Sequence, residues 1–431
     1  MQTKALYSIF KQYSAISTDT RNIKVDSIFF ALKGANFDGN AFADQALDKG
    51  ARYAVIDDVT YRKDERYILV EDVLGSLQEL ARYHRTQLNI PVIGITGTNG
   101  KTTSKELLYA VLSQRYRTFA TQGNLNNHIG VPLSILSVDQ EVEIAIIEMG
   151  ANHVGEIAFL SEIAKPTHGL VTNVGKAHLE GFGSFEGVKK TKGELYDFLQ
   201  DNEGTLFLQG DNTHLVEMAS QRRIDRVVRY GFSPENDVIG KLLVANPYLA
   251  ITWKERNNSA IYEVLTNLTG SYNTENFLAA IAVGLQFEVD PISINVGIAE
   301  YVPNNNRSQI IKTHRNTIVA DFYNANASSM AAALDNMRVL TADHKVIILG
   351  DMFELGNDSS EEHALVIQKA KELHLDKLIF VGKEFYNHRT SDAEFYETTA
   401  DALAAVSSIS ESFVLLKASR GMSFERLLEA L

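Results

Sequence analysis

The chain has 431 residues, of which 45% are hydrophobic and 22% charged, so it is globular rather than disordered and long enough for about three domains. Its 41 Lys and Arg residues against 54 Asp and Glu residues give a formal net charge of -13, which argues against nonspecific binding to nucleic acid or to an anionic membrane. The absence of cysteine excludes disulfides, thiolate metal sites and cysteine nucleophiles.

The sequence also carries no signal for export or membrane insertion. The opening stretch, MQTKALYSIFKQYSAIS, lacks a long apolar core and a small-residue cleavage site, so we expect no signal peptide. No apolar run approaches the roughly 20 residues that a membrane-spanning helix needs. We therefore expect a cytoplasmic protein that does not insert into the membrane and that acts as a monomer.

The first segment, residues 1–89, alternates apolar runs with a helical pattern. Short apolar runs bounded by polar residues predict strands. These runs are IFFAL (28–32), YAVID (53–57) and YILVED (67–72). A helix is predicted from about Leu74 to Leu88, and Pro91 then precedes the next strand, so we place the first domain boundary there.

The middle segment, residues 90–307, repeats this alternation more regularly. Strands are predicted at VIGIT (92–96), AIIEMG (145–150), GLVTNVG (169–175) and GTLFLQGDN (204–212). Helices are predicted from Lys101 to Gln114, near residues 154–164, and from Thr274 to Leu285. Strands that alternate with helices in this way predict a mostly parallel sheet.

The last segment, residues 308–431, follows the junction YVPNNNRS (301–308), whose Pro and Asn residues are typical of a turn or linker. Parallel strands are predicted at TIVADF (317–322), KVIILGD (345–351), KLIFVG (377–382) and FVLLKA (413–418), with a closing helix from Ser423 to Leu431. The predicted fold class is therefore α/β, with three domains.

The stretch GITGTNGKTTSKE, from Gly94 to Glu106, has the parts of a phosphate-binding loop. It departs from the strict pattern, because five residues rather than four separate Gly94 from Gly100. It still follows an apolar strand, frees the backbone with small residues, and places a lysine and a threonine at the start of a helix, where phosphate and Mg²⁺ bind. We predict that the phosphates of a nucleotide are bound by Gly97, Thr98, Asn99, Gly100, Lys101, Thr102 and Thr103.

A nucleotide site that uses Mg²⁺ also needs a carboxylate, because hard oxygen ligands suit this ion. Glu148 ends the apolar run AIIEMG. Taken alone, it is equally compatible with an exposed carboxylate at the end of a strand. Together with the phosphate loop, it becomes the favoured metal ligand.

Four longer stretches resemble the Mur ligase family, whose members build the peptidoglycan precursor. They are TGTNGKTT, EMGANHVGEI, TNVGKAHLEGFGS and KTKGELYDFL, and the resemblance covers essentially the whole chain. It implies an N-terminal domain for a UDP-sugar, a central P-loop-type ATPase domain with a mostly parallel sheet, and a C-terminal Rossmann-like domain. It also implies an ATP-dependent carbon–nitrogen ligase that works through an acyl phosphate.

The resemblance also implies the two substrates. STDTRNIKVDSIFFALKGANFDGN (17–40) is similar to the UDP-binding start of the family, and ADFYNANASSM (320–330) resembles the branch that accepts a dipeptide. The implied substrates are UDP-N-acetylmuramoyl-tripeptide and D-alanyl-D-alanine. The implied substrate contacts are Ser17, Thr18, Asp19, Arg21 and Lys33 in the first domain, and Asp321, Tyr323, Asn324 and Asn326 in the third. Without the resemblance, STDTR is an ordinary capped turn.

Two further motifs concern the metal and catalysis. In the family, the histidine that matches His178 binds a second Mg²⁺, and the lysine that matches Lys192 is carbamylated, which turns an ammonium into an anionic oxygen ligand. The resemblance thus implies two Mg²⁺ ions held by Thr102, Glu148, His178 and Lys192, with Lys101, Lys192 and His178 as catalytic side chains. On the residues alone, His178 is typical of a loop histidine and Lys192 of a solvated helix lysine.

Two more residues are expected at the nucleotide. GSYNTENFLAAIAVG (270–284) resembles the family stretch whose asparagine contacts the nucleotide, and Asn276 is the matching position. Without the resemblance, the polar residues of this stretch are explained nearly as well by the N-terminus of a helix. Arg307 lies near the second junction and is a candidate for the γ-phosphate, because closing domains often bring an arginine to the site.

Three alternatives remain open at this point. The chain could be another ATP-dependent amino-acid ligase of the same superfamily, or a P-loop ATPase or kinase with a different acceptor. It could also be a nucleotide-binding protein without catalysis. The presence of Lys101, Thr102, Glu148, His178 and Lys192 together disfavours the last alternative.

Overall fold

The computed structural model describes residues 2–175 and 179–431. Its larger sheets contain four, nine and six strands and follow one another along the chain, and a two-stranded hairpin lies within the first region. The α/β fold class predicted from the sequence is confirmed. Among the described residues, no helix is both long enough and apolar enough to cross a membrane.

The first region contains a small parallel sheet covered by helices. Its elements are strands β1 (Ile16–Ser17), β2 (Ile28–Phe30), β3 (Lys33–Gly34), β4 (Phe37–Asp38), β5 (Tyr53–Ile56) and β6 (Tyr67–Leu69), and helices α1 (Thr3–Gln12), α2 (Ala43–Asp48) and α3 (Val73–Gln87). The sheet order is β1-β2-β5-β6, and β3 pairs with β4 in the separate hairpin. Asp72 begins α3 by accepting hydrogen bonds from the N–H groups of Leu74 and Gly75, the usual role of an N-terminal cap.

The middle region is built on the largest sheet. Its strands are β7 (Val92–Thr96), β8 (Thr118–Ala120), β9 (Ile144–Glu148), β10 (His168–Val171), β11 (Thr205–Gln209), β12 (Arg226–Gly231), β13 (Val238–Ala245), β14 (Leu249–Glu255) and β15 (Tyr262–Leu265). Its helices are α4 (Lys101–Leu112), α5 (Gly130–Leu136), α6 (Glu156–Ala164), α7 (Leu179–Phe182), α8 (Phe185–Asp201), α9 (Thr213–Ser220), α10 (Thr274–Gln286) and α11 (Pro291–Glu300). The order is β15-β14-β13-β12-β11-β10-β7-β9-β8, parallel from β8 to β13 and antiparallel beyond.

The third region is a second α/β unit. Its strands are β16 (Gln309–Lys312), β17 (Thr317–Asp321), β18 (Lys345–Gly350), β19 (Lys377–Val381), β20 (Glu394–Tyr396) and β21 (Phe413–Lys417). Its helices are α12 (Ala327–Val339), α13 (Ser359–Lys371), α14 (Lys383–Asn387), α15 (Thr399–Ser407) and α16 (Glu425–Ala430). The order is β16-β17-β21-β18-β19-β20, and β16 is the antiparallel edge strand.

The first and middle regions share a hydrophobic core. Apolar side chains of α3, such as Leu77 and Leu80, belong to one buried cluster with Ile135 of α5 and Leu160 of α6. Buried Arg85 of α3 donates a hydrogen bond of 2.9 Å to the carbonyl oxygen of Ala164. Helix α3 therefore fixes the first region against the middle one.

The observed elements match the predicted ones best where the apolar runs are fully buried. The predicted strand VIGIT is β7, and α4 begins at the predicted Lys101, although it ends at Leu112 rather than Gln114. The predicted strands AIIEMG and GLVTNVG end earlier, at Glu148 and Val171, and the residues beyond them form loops. The antiparallel strands β13, β14 and β15 were not predicted. Exposed side chains interrupt β13 and β15, whereas the side chains of β14 are buried or half-buried, so its run LAITW was a usable signal.

The topology brings the ends of three central strands together. Strand β7 pairs in parallel with β9 on one side and with β10 on the other, so Thr96, Glu148 and Val171 lie at the same edge of the sheet. Ligands of open parallel sheets bind beyond the carboxyl ends of the strands. The candidate site is therefore expected at this edge.

Candidate functional site

The loop between β7 and α4 has a shape that only glycine permits at two positions. Gly97 has a φ of 143° and Gly100 a φ of 78°, which residues with a side chain rarely adopt. A Cβ atom on Gly97 would lie 2.0 Å from Oγ1 of Thr172, and one on Gly100 would lie 2.8 Å from Oδ1 of Asn276. The two glycines let the chain turn sharply from the strand into the helix.

The segment that follows β10 holds this loop from behind. Oγ1 of Thr172 donates a hydrogen bond of 2.6 Å to the carbonyl oxygen of Asn99. The N–H of Asn99 donates to Oδ1 of Asn173 at 3.0 Å, and the N–H of Thr98 donates to the carbonyl oxygen of Asn173 at 3.0 Å. The loop backbone is thus fixed before any ligand binds.

Lys101 folds back across the loop. Its Nζ donates to the carbonyl oxygens of Gly97, at 2.8 Å, and Thr98, at 3.0 Å. Burial lowers the pKa of its ammonium group to about 8; the charge of Glu148 opposes this shift and that of Arg307 reinforces it. A poorly solvated cation of this kind gains when an anionic phosphate becomes its partner.

The predicted metal ligands Thr102 and Glu148 are adjacent. Oγ1 of Thr102 donates a hydrogen bond of 3.0 Å to Oε2 of Glu148, and both residues are buried. The other carboxylate oxygen, Oε1, accepts a bond of 2.8 Å from Nδ2 of Asn126. The hydroxyl and the carboxylate form a pair of hard oxygen atoms at the loop, which fits Mg²⁺.

Of the other two predicted metal ligands, His178 and Lys192, the structure describes only Lys192. Among residues 2–175 and 179–431, no group of three or more His, Cys, Asp and Glu side chains could hold a metal ion. His178 lies outside the described residues. The structure therefore supports one oxygen pair for a metal ion and leaves the second Mg²⁺ a prediction.

Lys192 is buried, although its sequence context is also typical of a lysine exposed to solvent. It is 2% exposed, its Nζ lies 5.3 Å from the centre of the Phe182 ring, and within the described chain it does not line the cleft defined below. Burial and the positive charge of Lys101 lower the pKa of Lys192 to about 7. On the same helix, Lys190 is exposed and Lys189 forms ion pairs.

Asn276 joins the first turn of α10 to the start of α4. Its Oδ1 accepts a hydrogen bond of 3.0 Å from Oγ of Ser104, and its Nδ2 donates to Oδ1 of Asn273 at 2.9 Å. Glu275 lies beside it, and burial raises the pKa of this carboxyl group, with a contribution from the negative charge of Asp211. The start of α10 thus places several polar groups next to the phosphate loop.

The third region supplies the facing wall. Asp321 at the end of β17 and Lys417 at the end of β21 form an ion pair of 2.7 Å. The guanidinium of Arg307 lies 3.9 Å from the centre of the Tyr323 ring, and that of Arg420 lies 5.2 Å from it. Adjacent strand ends and the linker therefore bring cationic groups to the place where ligands of α/β sheets bind.

Asn324 and Asn326 complete this wall. The carbonyl oxygen of Asn324 lies 3.5 Å from Nζ of Lys417. Asn326 caps α12: its Oδ1 accepts from the N–H of Ser329 at 2.9 Å, and its own N–H donates to Oγ of Ser329 at 3.1 Å. The rest of the Asn326 side chain faces the phosphate loop, where its Nδ2 donates to Oδ1 of Asn99 at 2.8 Å.

These groups line one cleft of about 850 Å³. The predicted site residues that it brings together are Thr98, Asn99, Gly100, Lys101, Thr102, Thr103, Glu148, Asn276, Arg307, Asp321, Tyr323, Asn324 and Asn326. Such a cleft can hold a nucleotide on the loop side and a second reactant against the third region.

The predicted residues of the first region lie elsewhere. Within the described residues, none of them lines this cleft: they are Ser17, Thr18, Asp19, Arg21 and Lys33. Arg21 and Asp19 form an exposed ion pair of 2.6 Å, and the hydrogen bond from Arg21 lowers the pKa of Asp19 to about 2. Lys33 pairs with Asp57 at 2.8 Å, and Ser17 is buried.

Several lining residues were missed by the sequence analysis. They are Asn126, which orients Glu148, and Ser328, Lys417 and Arg420 on the facing wall. The polar run NLNNHIG (124–130) between a strand and a helix was a usable signal for the first. The cations of LKASRG (416–421), at the end of a buried strand and just beyond it, were a signal for the last two.

Comparison with protein families gives three matches in chain order. The model described as "Mur ligase family, catalytic domain" matches residues 12–85. "Mur ligase middle domain" matches residues 95–284, and "Mur ligase, glutamate ligase domain" matches residues 306–420.

Individual proteins match over nearly the full length. The UDP-N-acetylmuramoyl-tripeptide–D-alanyl-D-alanine ligase of Bacillus subtilis is 34% identical over 434 residues, covering 96% of this chain and 92% of that protein. The ligase of the same name from Escherichia coli is 35% identical over 427 residues, covering 97% and 93%. The solved structure of the MurF ligase from Thermotoga maritima in complex with ADP has a TM-score of 0.85 and 27% identity, covering 96% of both chains.

Proposed function

Because the chain belongs to the Mur ligase family, we propose that it is the ATP-dependent ligase that adds D-alanyl-D-alanine to UDP-N-acetylmuramoyl-tripeptide. The products are UDP-N-acetylmuramoyl-pentapeptide, ADP and phosphate. The reaction is a step of peptidoglycan synthesis, and through it the enzyme serves cell-wall biogenesis.

One observation carries this proposal. The chain matches ligases of this name over at least 96% of its length in both Bacillus subtilis and Escherichia coli. The geometry agrees with such a reaction, since a phosphate loop and a cationic wall from a different sheet face each other across one cleft. A plain ATPase has no need of the facing wall.

The chemistry requires activation, because a carboxylate is a poor electrophile toward an amine. An oxygen of the tripeptide's terminal carboxylate attacks the γ-phosphorus of ATP, the bond to the bridging oxygen breaks, and ADP leaves with that electron pair. The neutral amine of D-alanyl-D-alanine then attacks the acyl carbon and loses a proton. The tetrahedral intermediate collapses, the amide forms, and inorganic phosphate leaves.

The side chains act mainly by position and charge. The loop N–H groups and Lys101 bind the phosphates, and Lys101 offsets the negative charge that builds on the transferred group. Arg307, whose guanidinium is packed on Tyr323, is placed by the linker to reach the same phosphate. Enclosure between loop and facing wall excludes the water that would otherwise hydrolyse the acyl phosphate.

Mg²⁺ belongs to this proposal. Thr102 and Glu148 would hold it, and Asn126 keeps the carboxylate in place. Bound there, the ion would neutralise phosphate charge as a Lewis acid. His178 is proposed as a ligand of a second Mg²⁺ on the family resemblance.

Carbamylation of Lys192 is also part of the proposal. Support comes from its burial beside the charge of Lys101, which favours the neutral amine. The nitrogen lone pair of a neutral amine attacks carbon dioxide, a proton leaves the nitrogen, and the product is an anionic carbamate. The replacement of a buried cation by an anion would relieve the repulsion from Lys101 and offer oxygen to a metal.

The remaining site residues are proposed to bind the UDP-sugar, the dipeptide or the nucleotide. We propose that Ser17, Thr18, Asp19, Arg21 and Lys33 bind the UDP-sugar, with the two cations at the diphosphate. Asp321, Tyr323, Asn324 and Asn326 are proposed to bind D-alanyl-D-alanine, and Asn276 to contact the nucleotide. The side chain of Arg21 is 87% exposed, so a ligand can reach it although it pairs with Asp19.

Domain limits of 1–89, 90–307 and 308–431 are proposed as well. In their support, the four-, nine- and six-stranded sheets begin and end within these limits. A cytoplasmic location and a monomeric state remain predictions.

The first experiment measures ATP-dependent phosphate release with UDP-N-acetylmuramoyl-tripeptide and D-alanyl-D-alanine together, and with each omitted. We expect release that requires both and a pentapeptide product by mass. Release that does not depend on the dipeptide would instead support a general ATPase, and a phosphorylated acceptor would support a kinase. Nucleotide binding without turnover would support a non-catalytic protein.

A further inference from the structure

A cycle of three hydrogen bonds, two of which cross from the loop to the helix, links the tip of the phosphate loop and the start of α12. Nδ2 of Asn99 donates to Oγ of Ser328 at 2.8 Å, and Oγ of Ser328 donates to Oδ1 of Asn326 at 2.9 Å. Nδ2 of Asn326 then donates back to Oδ1 of Asn99 at 2.8 Å. These three residues, here called the bridging ring, each donate once and accept once, so the cycle fixes both amide orientations.

Both ends of the bridging ring are anchored. The backbone of Asn99 is bonded to Thr172 and Asn173 on the middle sheet. Asn326 is the N-terminal cap of α12 and is tied to Ser329 in both directions. Because the ring contains only short side chains, a small shift between loop and helix breaks it.

The bridging ring also lies between the two sets of groups that must cooperate. Asn99 is two residues before Lys101, which serves the phosphates. Asn326 is two residues after Asn324, whose carbonyl oxygen meets Lys417 on the facing wall. The ring therefore sets the distance between the transferred phosphate and the side of the cleft proposed for the amine.

We propose that Ser328 is a positioning residue that couples the phosphate loop to the dipeptide site, so that the acyl phosphate forms where the amine can attack it. This inference rests on the proposed function. Without the Ser328 hydroxyl, only the bond from Asn326 to Asn99 still joins the loop to α12 within the ring, so the relative position of the two walls is held less firmly. A misplacement of about 1 Å can cost about 100-fold in rate, and water then competes for the acyl phosphate, giving back tripeptide and phosphate.

Two neighbouring serines give a matched pair of variants. Ser328→Ala removes the ring hydroxyl and leaves the bond between Asn326 and the N–H of Ser329 intact. Ser329→Ala removes the hydroxyl that accepts from the N–H of Asn326 but leaves all three ring bonds. The first variant should therefore act on coupling, and the second on the stability of α12.

The first readout is the number of phosphates released per pentapeptide formed, with KM measured for each substrate. For the wild type we expect one phosphate per pentapeptide. Ser328→Ala should release about twice as much or more, with KM for D-alanyl-D-alanine raised about fivefold, the scale of a modest coupling energy. Ser329→Ala should lower the melting temperature and keep the wild-type ratio.

The second readout needs no turnover. Calorimetry measures D-alanyl-D-alanine binding to enzyme with UDP-N-acetylmuramoyl-tripeptide, with and without a non-hydrolysable ATP analogue and Mg²⁺. In the wild type the analogue should strengthen dipeptide binding about fivefold or more, and in Ser328→Ala this gain should disappear. Asn99→Ala combined with Ser328→Ala should add little to Asn99→Ala alone, because Asn99→Ala already removes both bonds that cross from the loop to α12.

Three results would overturn the inference. Ser328→Ala could release as much phosphate per pentapeptide as the wild type and keep the gain in dipeptide affinity that the ATP analogue causes. The wild type could show no such gain, or Ser329→Ala could lose the coupling as fully as Ser328→Ala. The last would show that any loosening of α12 suffices. A wild type that forms no pentapeptide would contradict the proposed function itself, which is a different outcome.

Discussion

Lys101, which is partly buried, and Lys192, which is buried, are two cations that repel each other. Each has a pKa lowered mainly by burial, to about 8 and about 7, and Lys101 adds to the shift of Lys192. Burial of an unneutralised charge destabilises the folded state. The free site therefore costs stability that bound phosphate offsets, as expected where function and stability conflict.

Replacement of Lys101 by Met tests this conflict. We expect Lys101→Met to reduce turnover at least about 100-fold, since the transferred phosphate loses its charge partner. At pH 7 the variant should melt at a higher temperature than the wild type, because the buried charge is gone. The pKa of Lys101 is 10.5 in the unfolded chain and about 8 in the folded protein. The difference in melting temperature between variant and wild type should therefore be complete below pH 8 and vanish as pH rises toward 10.5.

Differential scanning calorimetry across this pH range measures the effect, with phosphate release for activity. A Lys101→Met variant that turns over normally would contradict the assignment of the phosphate loop. A lower melting temperature at pH 7 would contradict the charge argument alone.

Lys192→Ala tests the carbamate. We expect turnover to fall and to recover in part when small carboxylic acids are added, because they supply the missing anionic oxygen. Lys190→Ala is the matched control, since Lys190 is exposed on the same helix, and its activity should stay at the wild-type level. Mass spectrometry for a carbon dioxide adduct on the wild type gives an independent measurement. Failure of every acid to restore activity would weigh against carbamylation and leave the rest of the site unaffected.

At the scale of the element, the strand–loop–helix unit from β7 to α4 is the part that the sequence specified most fully. An apolar run, a glycine-rich turn and a helical pattern agree with one another there, and the observed boundaries follow them. The loops after β9 and β10 were less predictable. Their polar residues follow apolar ones without a break, and only neighbouring strands determine where pairing stops.

The role of Gly100 at the start of α4 can be tested with Gly123 as a control. Gly100→Ala meets both a positive φ of 78° and the side chain of Asn276, at 2.8 Å from the new Cβ. Gly123 has a φ of 55°, but a Cβ there meets nothing within 4 Å. Both variants should lose about 1–2 kcal/mol of stability from the left-handed conformation.

Only Gly100→Ala should also weaken ATP binding, by about tenfold or more, which corresponds to about 1.4 kcal/mol. Thermal unfolding and calorimetric titration with ATP measure the two effects separately. Equal ATP affinity in the two variants would show that the contact with Asn276 does not shape the nucleotide site.

At the scale of the whole molecule, the two joints between the regions differ in kind. The first and middle regions share an apolar core through α3. The third region instead meets the middle one through polar contacts, such as Asn336 with Thr269 at 3.2 Å and Tyr272 with Ser308 at 2.8 Å. A polar joint can open without exposing apolar surface, so substrate entry is expected from this side.

Charge at this scale bears on which anions the cleft can bind. The net charge is -13, and the cleft itself carries both signs: among the described residues its four cations are Lys101, Arg307, Lys417 and Arg420, and its five carboxylates are Glu148, Glu156, Glu275, Asp321 and Glu354. We expect ATP to raise the melting temperature, and duplex DNA neither to bind nor to compete, because only a small anion reaches these cations past the acidic surface.

Thermal shift with ATP and fluorescence anisotropy with labelled DNA test this expectation, and light scattering in the same buffer should give the mass of one chain. DNA that binds at physiological salt would contradict the electrostatic argument, and a larger mass would contradict the predicted monomer.

The sequence by itself determined the α/β class, the central strands and the phosphate loop, because these depend on local runs of apolar residues and on glycines at fixed spacing. It also carried the family resemblance. Only the tertiary structure decided that Asn126 supports Glu148, that Lys192 is buried, and that Ser328 meets Asn99. These contacts join residues far apart in the chain, and their geometry depends on how separate sheets and helices pack, which no local pattern encodes.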